Sequence, residues 1–176
     1  MRAETIARNY ADTLFTLGEK SGRTREYAEW LDAVAGAIAV TPKAQAALSS
    51  PRVTKAAKAE LLTRSVSGAP REFQLYLQSV VRRGRQVLLG EIARAYLDLL
   101  DLKLNRVRAG VTLARQPDQA LRQTIVQELE KELGKEVLAT FAEDPSILGG
   151  VIVRLGDRVL DGSVRRRITR LRRQLL

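Results

Sequence analysis

The sequence predicts an α+β protein: an N-terminal six-helix bundle over residues 1–105, then a small mixed α/β domain over 106–176 in the order β-α-β-β-β-α. Apolar residues recur at 3.6-residue spacing through the first hundred positions, the period of a helix with one buried face. Near Asn105 the period drops to two, as in strands with one face on a core. A chain of 176 residues with 45% hydrophobic content can build one large or two small cores.

The helical elements follow in order. Ala7, Tyr10, Ala11, Leu14, Leu17 and Gly18 form the first stripe, and Ser21-Gly22 breaks it. Tyr27, Trp30, Leu31, Val34, Ala35 and Ile38 form the second, with Thr24 expected as its N-cap and Thr41-Pro42 as its end. A short helix is expected over 43–48, before Ser49-Ser50-Pro51. Thr54 caps a fourth helix, expected to turn Ala57, Leu61 and Leu62 inward. After the Ser67-Gly68-Ala69 turn, Pro70 suits the first position of a fifth helix carrying Phe73, Tyr76, Leu77, Val80 and Val81. Gly84 interrupts, and Leu89, Ile92, Ala93, Tyr96, Leu99 and Leu100 mark a long sixth helix.

Beyond Asn105, Val107, Ala109, Val111 and Leu113 alternate with Arg108, Gly110 and Thr112. Gln116-Pro117-Asp118 opens a helix with Leu121, Ile125, Leu129 and Leu133 at four-residue spacing, and Gly134 closes it. Val137, Ala139 and Phe141 make a second strand, and Val151 to Leu155 a nearly continuous apolar third. Gly156-Asp157 reads as a hairpin turn into Val159-Leu160. Asp161-Gly162-Ser163 reads as the cap of a last helix with Val164, Ile168, Leu171 and Leu175 on one face.

Composition narrows the chemistry. With no Cys, disulfides, thiolate zinc sites and cysteine nucleophiles are excluded. With no His, the commonest general base and the Ser-His-Asp triad are excluded too. Gly149-Gly150 and Gly156-Asp157 match neither phosphate-loop pattern and read as backbone geometry. Asp144, Asp157 and Asp161 lack EF-hand spacing and each sits in a turn, where Asp caps backbone N–H groups. The expectation is no catalytic residue, no cofactor and no metal. Residues 1–20 show no apolar signal segment, and the uncharged run Ala33 to Pro42 is half of the roughly 20 residues that a membrane span needs.

The net charge is +10, divided as +5 on each side of Asn105. Such a balance suits an anionic partner: nucleic acid, a lipid surface or an acidic protein. Arg165, Arg166, Arg167, Arg170, Arg172 and Arg173 crowd the C-terminus, which raises a nucleic-acid-binding alternative. No aromatic residue interleaves them as a stacking surface requires, so a solvated or protein-facing patch is the better reading. On the first and fifth helices the apolar surface exceeds one narrow face. Ile6, Thr13 and Phe15 join Tyr10 and Leu14, while Leu75 and Ser79 join Tyr76 and Val80. A surplus of this kind can form a groove for a partner's amphipathic helix.

The segment from Asp144 to Val164, DPSILGGVIVRLGDRVLDGSV, resembles the signature of the delta subunit of bacterial rotary ATP synthase, the oligomycin-sensitivity-conferring protein of mitochondria. Ala7-Arg8-Asn9-Tyr10-Ala11 looks like the family's N-terminal motif, with Asn9 where Pro or Arg is more usual. Val81-Arg82-Arg83-Gly84-Arg85, then Leu88-Leu89 and Ile92, looks like its midchain arginine motif. Val111-Thr112 fits the family's strand after the junction and Gly134-Lys135-Glu136-Val137 the entry to its second strand, so the resemblance covers nearly the whole chain. It implies a non-enzyme on the cytoplasmic face of the bacterial plasma membrane, with no direct nucleic-acid contact. The N-terminal bundle would hold the N-terminal helix of an alpha subunit between helices 1 and 5, at Tyr10, Thr13, Leu14, Tyr76, Ser79 and Val80. The C-terminal domain would bind the b subunits of the peripheral stalk, with Arg166, Arg170 and Arg173 as its contacts.

Overall fold

A computed structural model describes residues 3–147 and 149–162. The chain divides into two compact units, Met1–Leu100 and Asp101–Leu176. That break falls inside a helix, a few residues before the change of periodicity at Asn105.

The first unit is helical throughout its described residues. Its helices are α1 (Ala3–Ser21), α2 (Thr24–Val40), α3 (Pro42–Ser49), α4 (Lys55–Ser65), α5 (Arg71–Arg82) and α6 (Leu89–Lys103), and a single 3-10 turn, Gln86–Leu88, precedes α6. Its core gathers Leu14, Tyr27, Leu31, Phe73, Leu77, Val80, Ile92 and Tyr96, each at most 1% exposed. Burying one such side chain contributes about 1.5–3 kcal/mol. Tyr27 lies 5.7 Å from Phe73, and Phe15 meets the edge of Tyr96 at 5.4 Å.

Several local expectations shift. Thr24 is the first residue of α2 and not its cap; Arg23 holds the cap position with no side-chain bond. The chain leaves α1 through Gly22 at φ +69°, and Arg23 N–H returns to Gly18 O, which draws Thr24 onto the helix. The Thr24 carbonyl instead accepts the Tyr96 hydroxyl at 3.0 Å. Pro70 likewise precedes α5 as its cap residue. On α4 the inward residues are Lys58 and Leu62, while Leu61 is 44% exposed and Ala57 faces solvent. The buried face is therefore offset from the apolar stripe, with Lys58 6% and Leu62 3% exposed. Thr54 does cap α4, accepting Ala57 N–H at 3.2 Å.

The second unit is built on a four-stranded sheet in the order β2-β1-β3-β4, from β1 (Arg106–Leu113), β2 (Glu136–Glu143), β3 (Val151–Leu155) and β4 (Arg158–Asp161). α7 (Gln119–Leu133) connects β1 to β2, which run parallel; β3 and β4 are antiparallel to their neighbours. A parallel pair needs such a crossover, which places the helix on one face. Ala109, Val111, Leu113, Val137 and Val153 share that face with Leu129, and Ile125, Val126 and Leu133 pack around them. Leu121, expected on the inner stripe, is 44% exposed because it sits in the first turn of α7, beside its cap. Asp118 caps α7 by accepting Leu121 N–H at 2.7 Å, and Gly134 ends it at φ +63°. Asn105 enters β1 at φ +50°, a conformation that Asn tolerates better than most residues. The expected final helix over 164–175 lies outside the described residues.

Candidate functional site between the first and fifth helices

A cleft of about 430 Å³ opens in the first unit, lined by Ile6, Asn9, Tyr10 and Thr13 of α1, by Tyr76 and Ser79 of α5, and by Arg83 and Arg85 just beyond α5. Four of the six expected residues, Tyr10, Thr13, Tyr76 and Ser79, line it together. Leu14 and Val80 are fully buried and form the core behind its walls. Periodicity could not separate the two sets. A residue four positions along a helix shares the same face, and only the packed neighbour decides which of them is covered. Phe15 turns instead toward Tyr96, and Leu75 is 53% exposed outside the lining.

One hydrogen bond fixes the separation of the walls. Tyr76 lies 66 residues from Tyr10 in sequence and donates its hydroxyl to the Tyr10 carbonyl at 3.1 Å. Its ring is 7% exposed, and burial raises the phenol above the ordinary tyrosine range, with the neighbouring Tyr10 and Tyr96 phenols adding to the effect. The hydroxyl therefore stays protonated and remains a donor under any physiological condition. Thr13 and Ser79 turn their hydroxyls back onto their own helices, to Asn9 O at 2.8 Å and Tyr76 O at 2.7 Å. Their polar groups are thus satisfied locally, and the cleft wall is less polar than its residue letters suggest.

The arginine end is set by backbone geometry. Gly84 takes φ +69°, its N–H bonds Val81 O at 2.8 Å, and Arg85 N–H bonds Val80 O at 2.9 Å. This is the Schellman closure of a helix, which a glycine in the left-handed region permits without a Cβ clash. It holds Arg83 and Arg85 on either side of Gly84, at the C-terminal end of the α5 wall. Behind them Gln86 donates to Leu48 O at 3.0 Å, tying the turn to α3. Gly84 and its arginines stand out as a motif in the sequence, but their place at the groove depends on packing that the sequence does not show.

Elsewhere the described residues offer little chemistry. No group of three or more acidic residues among them is placed to hold a metal ion. Asp144 caps its own turn, accepting Ser146 N–H at 2.9 Å, and that hydrogen bonding holds its carboxyl below the usual range. Gly156 at φ +55° makes the two-residue turn between β3 and β4. A second cleft of about 440 Å³ lies among α2, α3 and α6, with Ala35, Ile38, Leu48 and Leu89 in its walls. No described helix is long and apolar enough to cross a membrane. Arg166, Arg170 and Arg173 lie outside the described residues.

The chain as a whole has counterparts among known proteins. The family described as ATP synthase delta (OSCP) subunit matches residues 6–175. The ATP synthase subunit delta of Gemmatimonas aurantiaca is 39% identical over 176 residues, covering 99% of this chain and 95% of that protein. The subunit delta of Syntrophobacter fumaroxidans is 34% identical over 183 residues, covering 99% and 97%. In fold, the chain is similar to one in the cryo-EM structure of the Toxoplasma gondii mitochondrial ATP synthase hexamer, with a TM-score of 0.76, 22% identity and 96% of each chain covered. A match over nearly the whole length, together with relatives above 30% identity, makes this chain a member of the ATP synthase delta (OSCP) subunit family.

Proposed function

We propose that this chain is the non-catalytic stator subunit that joins the catalytic head of a rotary proton-translocating ATP synthase to its peripheral stalk. The observation that carries this reading is the family match over residues 6–175. In this role the subunit keeps the head from turning with the central shaft, so that torque becomes conformational change at catalytic sites on other subunits. The task needs affinity and stiffness and no proton-transfer group, in keeping with a chain that has no His and no Cys.

The N-terminal bundle of six helices, residues 1–105, takes the N-terminal helix of an alpha subunit into the α1/α5 cleft. Tyr10, Thr13, Tyr76 and Ser79 make the contacts, and Leu14 and Val80 support them from the core. A cleft whose walls are already tied by Tyr76 to Tyr10 supports this assignment, since a preorganised groove loses less freedom on binding. The domain over 106–176, completed after β4 by a last helix in the β-α-β-β-β-α order, binds the b subunits, with Arg166, Arg170 and Arg173 among its contacts. The whole subunit then sits peripherally on the cytoplasmic face of the plasma membrane.

Calorimetric titration of the full chain with a peptide copying the alpha N-terminus tests the groove. Thr13→Arg and Ser79→Arg place a large charge in the cleft without emptying the core. Each is expected to weaken binding at least tenfold with an unchanged circular dichroism spectrum, since a few apolar anchors worth about 2 kcal/mol each carry such interfaces. Wild-type affinity in both variants moves the alpha site off this cleft.

A further inference from the structure

The cleft described above is asymmetric in charge. Of its eight lining residues none is acidic, and its two formal charges, Arg83 and Arg85, stand together beyond the C-terminal end of α5. Both side chains are exposed, and neither guanidinium has an ion-pair or hydrogen-bond partner among the described residues. Arginines at a helix C-terminus can serve the helix itself by bonding its last carbonyls. Here that work is done by the backbone: Gly84 N–H takes Val81 O, Arg85 N–H takes Val80 O, and Arg83 N–H takes Ser79 O. The guanidiniums are left over, on a rigid closure and beside a wall of locally satisfied hydroxyls.

Two uncompensated guanidiniums at one end of a cleft with no carboxylate select an anion, and Arg presents the planar donor fork that pairs with a carboxylate. We propose that Arg83 and Arg85 form a carboxylate clamp that fixes the register and direction of the docked helix. The occupant is therefore an amphipathic helix whose apolar anchors fill the cleft between α1 and α5 and whose Asp or Glu side chain lies about one turn beyond the last anchor, at the arginine end. This rests on the reading that the cleft takes a partner helix, and adds the residue type that the partner must carry and the end of the cleft at which it sits. A helix entered the other way round carries its carboxylate to the far end of the cleft and leaves both arginines unpaired, so the pair discriminates between two otherwise similar apolar fits.

The test uses the full chain and a synthetic peptide copying the alpha N-terminus, in parallel with peptides in which each Asp or Glu is replaced singly by its amide. Arg83→Gln/Arg85→Gln is expected to weaken binding of the parent peptide about tenfold at low salt, the scale of a charge-assisted pair. The factor should shrink between 50 and 500 mM salt as exposed charges are screened. One amide peptide alone should lose a similar factor against the wild-type chain and lose little further against the double variant. Arg83→Lys/Arg85→Lys should retain part of the affinity, because the charge remains without the fork. Equal binding of parent peptide to wild type and to the Gln double variant, with an unchanged melting temperature, overturns the clamp. If Thr13→Arg still abolishes binding in that case, the groove survives without the clamp. If Thr13→Arg has no effect either, both readings fall. Additive losses for every amide peptide likewise overturn it, since they report general charge attraction.

Discussion

Tyr76 and Tyr96 each join two distant helices through one hydroxyl, Tyr76 to Tyr10 O and Tyr96 to Thr24 O. Burial raises both phenols above the ordinary tyrosine range. The unfolded chain ionises these groups near pH 10, while the folded chain keeps them protonated. Their contribution is therefore complete below about pH 10 and is lost as pH rises beyond it. Urea unfolding at pH 8, 10 and 11 should show stability falling over that range. Tyr76→Phe/Tyr96→Phe should cost about 1 kcal/mol per lost hydrogen bond at pH 8 and flatten the alkaline fall; an unchanged slope contradicts this. Gly18 shows the same joint from the other side. A Cβ there would lie 3.0 Å from the Tyr96 hydroxyl and 3.2 Å from Thr24 Cα. Gly18→Ala should destabilise the protein by about 1–3 kcal/mol, as overpacking does, even though Ala favours helix. A melting temperature at or above wild type would show that the contact yields freely.

At the scale of elements, Gly84 and Asp101 carry consequences out of proportion to their size. Gly84→Ala introduces a Cβ at φ +69° and should cost about 1 kcal/mol. It also loosens the end of α5, so helix binding should weaken more than the melting temperature alone indicates; intact affinity would show that the closure does not hold the arginines. Asp101 is 6% exposed and bonds Arg106 and Arg108, the latter at 2.6 Å, pinning the start of β1 within the second unit. Asp101→Ala leaves Arg106, with 19% of its side chain exposed, without its carboxylate. The expected loss is about 2 kcal/mol, below the value for a fully buried pair because Arg108 is half exposed. Much of this architecture was legible. Val107 to Leu113 alternates because a strand shows alternate residues to its core, and Gly84, Gly134 and Gly156 stand where φ must be positive. The pairing of β1 with β2 in parallel and the offset face of α4 were not legible, because both depend on partners distant in sequence. The bond from Tyr76 to Tyr10 was hidden for the same reason, so the groove could be expected but its division between lining and core residues could not.

In the whole molecule a family, a fold and a cleft come together. Two helices wall a cleft and a closed turn holds two arginines at its end; among the described residues those arginines have no ion-pair partner and no acidic cluster is placed to hold a metal. A stator is judged by whether it holds the head under load, and isolated binding constants do not measure that. The direct measurement is ATP-driven proton pumping by everted membrane vesicles stripped of this subunit and of the catalytic head, then rebuilt with head and full-length chain. The wild-type chain should restore head attachment and pumping together. Thr13→Arg/Ser79→Arg, folded by circular dichroism, should leave the head unattached and pumping near the level seen without the subunit. Full restoration by that variant at the same concentration would contradict the claim that the α1/α5 cleft couples the head to the stator.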